Sequence, residues 1–86
     1  MGMFVHILSG RMHMSLSMAG AGHRAVIKSI SGNEKIRNFL FTLGCSEGEE
    51  ITLISVLGGN YIINIKDSRY AIDKRMAKSI ELVEAS

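Results

Sequence analysis

The segment from Asn33 to Gly48 constrains this chain more than any other. Ile36, Phe39, Leu40 and Leu43 fall at i, i+3, i+4 and i+7, which places four apolar side chains on one face of an α-helix. Asn33 stands where a side chain can accept a hydrogen bond from the first helical turn, and Glu34 suits the positive end of the helix dipole. Gly44 follows the last apolar position, where a helix exit wants a left-handed residue. Gly48 then leads into Ile51-Thr52-Leu53-Ile54, which reads as a strand. Strand-like runs lie on both sides of this unit. A single short helix inserted among short strands points to a small barrel, an architecture that more often binds than catalyses.

The remaining elements follow from turn residues and alternation. Gly20-Ala21-Gly22 signals a turn, and residues 23–30 read as the first strand, with Ala25 and Ile27 on one face. Ile30 breaks the period of two, so a bulge or bend is expected near Lys28-Ser29. Residues 51–56 form the second strand, Leu57-Gly58-Gly59-Asn60 a turn tolerant of positive φ, and residues 61–66 the third strand. A tight turn at Asp67-Ser68 precedes a fourth strand over residues 69–72. Asp73 is placed to cap a single helical turn over Lys74 to Ala77, and residues 80–83 alternate as the fifth strand. The expected fold is mainly β: a small, partly open barrel of about five strands, with one short α-helix after the first strand. The expected core is Ala25, Ile27, Ile30, Ile36, Leu40, Leu43, Ile51, Leu53, Ile63, Ile65, Ala71, Ile80 and Leu82.

Eighty-six residues make one domain, and 47% apolar content makes it globular. A chain of this size buries roughly 60–65% of its unfolded surface, so a deep pocket is not expected. The single cysteine, Cys45, excludes an internal disulfide and every cysteine-cluster metal site. A formal net charge of +2, with both signs mixed along the chain, does not demand nucleic acid. Apolar runs fall short of the roughly 18–20 residues a spanning helix needs, and no basic region precedes the apolar N-terminus, so a signal peptide is not expected. Residues 1–14, which hold Met1, Met3, Met12 and Met14, are expected to be a flexible N-terminal extension, with the domain over residues 15–86. The sharper alternative is that Phe4, Val5, Ile7 and Leu8 dock onto the barrel or a partner.

Few residues offer chemistry. His6, His13 and His23 lack partners at ligand spacing, so no metal site is assigned. Cys45 reads first as a small buried hydrophobe, and no histidine near it in sequence would activate it as a nucleophile. Gly58-Gly59 carries no phosphate-loop signature, so no nucleotide cofactor is assigned. Lys74, Arg75 and Lys78 form a local basic cluster whose default reading is solvated surface. Phe41 lies off the apolar helix stripe. It is either an isolated exposed aromatic or part of a protein-contact site with Arg37 and Cys45, since aromatic and arginine side chains anchor interfaces.

The pattern Gly22-x-x-Ala25-x-Ile27-x-x-Ile30, then Ile36-Arg37-x-Phe39-Leu40-x-x-Leu43-Gly44-Cys45-x-x-Gly48-x-x-Ile51, resembles the FeoA family. So does the ending Tyr70-Ala71-Ile72-x-x-x-Met76-Ala77-x-x-Ile80-x-Leu82, and the resemblance spans about residues 15–84. It implies an SH3-like barrel in the cytoplasm. It further implies a non-enzymatic accessory or regulatory protein of bacterial ferrous-iron uptake, acting on the cytosolic part of FeoB, a membrane transporter with a guanine-nucleotide-binding domain. A similar domain ends the iron-dependent DtxR-type repressors, which keeps open a metal-sensing domain. A nucleic-acid-binding small barrel is the other alternative, although no nucleic acid is expected as the partner. Pairing of exposed strand edges into a homo-oligomer is also open. One departure is visible: the family often carries an Asp-Pro pair between its second and third strands, whereas this chain has no proline and offers Leu57-Gly58-Gly59-Asn60. A loop of different shape there puts an identical partner interface in doubt, while leaving the fold inference intact.

Overall fold

A computed structural model describes residues 14–84. Their order is β1 (Met14–Ser15), a 3-10 turn (Leu16–Met18), β2 (Arg24–Ile30), α1 (Glu34–Leu43), β3 (Glu50–Leu57), β4 (Asn60–Ile65), β5 (Ser68–Asp73), α2 (Lys74–Ser79) and β6 (Ile80–Glu84). The expected extension over residues 1–14, with Phe4, Val5, Ile7 and Leu8, lies outside the described residues except for Met14, which pairs with Leu82 as the start of β1. The strands form one six-stranded antiparallel sheet in the order β1-β6-β2-β3-β4-β5. Among the described residues β1 and β5 do not pair, so the curled sheet stays open. It has one strand more than the sequence suggests, because β1 is only a two-residue pairing.

Two irregularities curl the sheet. The β2–β6 register shifts between Ile27 and Ser29, leaving Lys28 as an extra residue, where the broken alternation at Ile30 called for a bulge. The β3–β4 register shifts between Leu53 and Ser55, which makes Ile54 the extra residue. Each bulge increases local twist, which brings the two ends of the sheet round over a common core.

That core contains Ala25, Ile27, Leu40, Ile51, Leu53, Ile63, Ile65, Ile80 and Leu82, all fully buried, with Ile30, Ile36 and Leu43 partly buried against them. Ala71 is a correction: it is exposed, and Ile72 is buried in its place. The cause is the hairpin register. Residues directly opposite in an antiparallel pair share a face. Tyr61 faces Ile72 and Ile63 faces Tyr70, so Ala71 shares the outer face with Ile62. The turn itself is Lys66-Asp67, one residue earlier than expected, and Lys66 accepts a positive φ of 56°. Leu16, Tyr61 and Ala77 join the core as well. The Tyr61 hydroxyl donates to the Ser17 carbonyl at 3.4 Å, tying the 3-10 turn to β4.

Helix α1 begins and ends as its sequence demands. Asn33 is the N-cap, and its side-chain oxygen accepts from the Ile36 N–H at 2.8 Å. Gly44 sits at φ 102°, and two bonds close the helix: Gly44 N–H to the Phe41 carbonyl and Cys45 N–H to the Leu40 carbonyl, each 3.0 Å. These are the paired bonds of a Schellman exit, which is commonly accompanied by an apolar contact between the residue after the glycine and the helical residue whose carbonyl it bonds. Cys45 and Leu40 are those two residues, and both are completely buried. Asp73 caps α2 in the same way as Asn33 caps α1, accepting from the Met76 N–H at 2.8 Å. The loop entering α1 is pinned to the end of α2, since Ser31 N–H donates to the Ser79 carbonyl at 2.8 Å.

Candidate functional site

Burial of Leu40, Ile36 and Leu43 fixes the rotation of α1. Positions three and four apart share a flank, so Arg37 and Phe41 must lie together beside the buried stripe. Both are exposed, Phe41 at 51%. Phe39, which the apolar spacing places on the same helix face as Ile36, Leu40 and Leu43, is 44% exposed at the stripe's other margin. The Arg37–Phe41 flank forms one wall of an open cleft of about 360 Å³ that is also lined by Ile30, Ser46 and Glu47.

The opposite wall is held by backbone bonds. Gly48 N–H donates to the Ile27 carbonyl at 2.8 Å, Ile27 N–H to the Glu49 carbonyl at 2.9 Å, and Glu49 N–H to the Ser46 carbonyl at 3.1 Å. The helix exit and the bulged end of β2 are thereby locked to one short loop. Elements held this way present side chains at fixed positions. The ion pairs among the described residues are Arg24–Glu50 at 3.5 Å and Lys66–Glu49 at 3.6 Å, so the Arg37 and Glu47 charges in the cleft have no ion-pair partner among those residues.

The structure brings together two of the three residues the sequence singles out and separates the third. Arg37 and Phe41 share the cleft wall. Cys45 is fully buried in the core behind the helix exit and presents no atom to a partner. Burial pushes its thiol up from an ordinary 9.0 to about 11, which keeps it protonated and inert at neutral pH. Ile30, Ser46 and Glu47 were not singled out for a site. The signal for Ser46 and Glu47 lies in the helix exit, because a Schellman turn reverses the chain and returns the next residues alongside the helix they leave.

Other candidates from the sequence stay apart from this cleft. His23 is half-buried beside the turn before β2, and its Nε2 is enclosed without a hydrogen-bond partner among the described residues. His6 and His13 lie outside the described residues. Among the described residues no group of three or more His, Cys, Asp or Glu side chains is placed to hold a metal ion. Lys74, Arg75 and Lys78 are exposed on α2. No helix among the described residues is long and apolar enough to cross a membrane.

The family model of the FeoA domain matches residues 14–84, essentially all that the structure describes. The chain belongs to the FeoA family. A crystal structure of an iron uptake regulatory protein, FeoA, matches with a TM-score of 0.77 at 26% identity, over 84% of this chain and 97% of that one. The FeoA of Stenotrophomonas maltophilia, complexed with zinc, matches with a TM-score of 0.71 at 27% identity, over 80% of this chain and 88% of its own. That protein is described as a prokaryotic SH3-domain protein and a candidate activating factor for bacterial ferrous-iron transport. A manganese-dependent transcriptional repressor matches with a TM-score of 0.79 at 14% identity, over 85% of this chain and 42% of the repressor, which establishes a shared fold. No curated protein matches the chain. The FeoA membership and the SH3-like fold are therefore those the sequence pattern implies, and the family ties this chain to ferrous-iron transport.

Proposed function

We propose that this chain is a non-enzymatic accessory protein of bacterial ferrous-iron uptake. It works in the cytoplasm by docking on the cytosolic part of a FeoB-type transporter through the cleft beside α1. The observation that carries this reading is the half-exposed Phe41, held on a capped helix next to Arg37, which has no ion-pair partner among the described residues, at an open cleft. An aromatic ring and a guanidinium on a rigid wall supply apolar area and a charged hydrogen-bonding fork at little conformational cost. Glu47 across the cleft adds a charge of opposite sign, so a matching surface must present both an acidic group for Arg37 and a donor for Glu47.

Docking alone regulates nothing. The accessory protein changes the transporter's state only by binding one state better than another, and a tenfold preference corresponds to about 1.4 kcal/mol. In this account the chain contributes binding energy while nucleotide and iron chemistry stay on the transporter. Cys45 supports the site from beneath by anchoring the helix exit, and makes no contact of its own.

The test uses the full chain and purified FeoB-type transporter in detergent, with affinity read by biolayer interferometry and GTP hydrolysis read in parallel. Saturable binding that weakens about tenfold or more in Phe41→Asp and Arg37→Glu, with Lys74→Glu unchanged, is the expected result. Equal binding by all variants discards the cleft. No binding by the unaltered chain discards the transporter as its partner.

A further inference from the structure

Among the described residues strand β5 ends the sheet and hydrogen-bonds to β4 on one side only. The two-residue turn at Lys66-Asp67 makes its flanking pair, Ile65 and Ser68, one that exchanges both backbone bonds. Alternation then assigns Tyr70 and Ile72 to β4 as well. The N–H and C=O groups of Arg69, Ala71 and Asp73 therefore point to the open edge. Asp73 is the N-cap of α2, so its carbonyl enters the helix and its N–H remains. Arg69 and Ala71 are exposed. The strand carries no proline, and its pairing with β4 shows no register shift. Sheet edges are usually protected by such devices.

The edge can meet an antiparallel copy of itself in few registers, because only Arg69, Ala71 and Asp73 present groups outward. Centring the pair on Arg69 sets like charges opposite each other. Centring it on Ala71 sets Arg69 opposite Asp73 twice and Tyr70 opposite Ile72 twice, with the small Ala71 side chains meeting at the axis. Opposite-charge cross-strand pairs stabilise a sheet, whereas Ile72 is already buried in its own core, so the charge pairs carry the register. Asp73 uses one carboxylate oxygen, Oδ1, for its cap, which leaves the other for the guanidinium of the second copy.

We propose that β5 pairs with β5 of a second copy of this chain, antiparallel and in register about a two-fold axis at Ala71. The contact is isologous, as a closed dimer requires. It forms about four backbone hydrogen bonds: two between the Ala71 residues, and one from each Asp73 N–H to the opposite Arg69 carbonyl. A patch of one strand is small, so the dimer is weak and concentration-dependent. It is independent of the docking reading, since none of these residues lines the Arg37–Phe41 cleft.

The test is amide hydrogen exchange by NMR on the full chain at roughly 50 μM and roughly 1 mM, with sedimentation equilibrium on the same samples. The expected result is a mass rising from 9.4 kDa toward twice that value. Exchange at the Ala71 amide should slow about tenfold with concentration, while Tyr70 and Ile72 amides stay protected at both. Ala71→Pro removes a donor that only the second copy uses, so it should leave a folded monomer. Arg69→Glu should raise the dissociation constant about tenfold. A monomer at the higher concentration overturns the proposal, as does a dimer whose Ala71 amide exchanges freely. If Ala71→Pro fails to fold, the Ala71 amide of the unaltered chain decides the matter alone.

Discussion

Replacing Gly44 with alanine should destabilise the protein more than the same change at Gly48, and the difference measures how tightly the helix exit is built. Both glycines have positive φ, 102° at Gly44 and 88° at Gly48, so an L-residue at either is strained. Left-handed backbone costs about 1–2 kcal/mol, offset by about 0.4–1 kcal/mol because the unfolded chain loses freedom. A Cβ at Gly48 meets nothing within 4 Å, so that variant should lose about 0.5–1.5 kcal/mol. A Cβ at Gly44 sits 3.2 Å from Ile65 Cγ2, and Ile65 is a core residue with no room to retreat. Overpacking of that kind adds about 1–3 kcal/mol, for a total near 2–4 kcal/mol. Urea unfolding gives the free energies directly. In a thermal melt each 1 kcal/mol corresponds to about 4–8 °C for a domain of this size. Equal losses at the two positions would refute the role given to the Ile65 contact. A neutral Gly44→Ala would refute the Schellman account of why Cys45 is buried.

Other outcomes follow from the same structure. Asn33→Ala and Asp73→Ala each remove one capping bond of 2.8 Å and should each cost about 1 kcal/mol by urea unfolding. Ile72→Ala should cost about 2–5 kcal/mol and Ala71→Ser less than about 0.5, which checks the register of β5 directly. The buried thiol of Cys45 holds its proton to about 11 in the folded state, whereas the unfolded thiol ionises near 9.0. Stability from this group is full below about pH 9 and falls between about pH 9 and pH 11, by at most about 1.4 kcal/mol per pH unit. Cys45→Ala should show a shallower decline over that interval, read as the difference in unfolding free energy between the two proteins at each pH.

Elements defined by local chemistry were legible in the sequence. Asn33, Glu34 and Gly44 bound α1 by capping, Asp73 starts α2, and the misplaced Ile30 betrays the bulge at Lys28. What escaped depends on pairing between strands. Ala71 looks apolar enough for a core, and only the two-residue turn at Lys66-Asp67 shows that Ile72 is the residue opposite Tyr61. The bulge at Ile54 left no comparable trace, since Ile54 and Val56 two residues on are both apolar and read as one face of a regular strand. At the site, helix periodicity sufficed to put Arg37 and Phe41 on one flank. Proximity along the chain groups Cys45 with them, but the turn after Gly44 points it inward, and the loop that does so supplies Ser46 and Glu47 to the cleft.

The most direct test of the docking account is an NMR titration of the isotope-labelled full chain with the cytosolic part of a FeoB-type transporter. The account predicts shifts concentrated at Ile30, Arg37, Phe41, Ser46 and Glu47, with β5 amides unmoved. Shifts centred instead on Lys74, Arg75 and Lys78 of α2, or none at saturating partner, would contradict it.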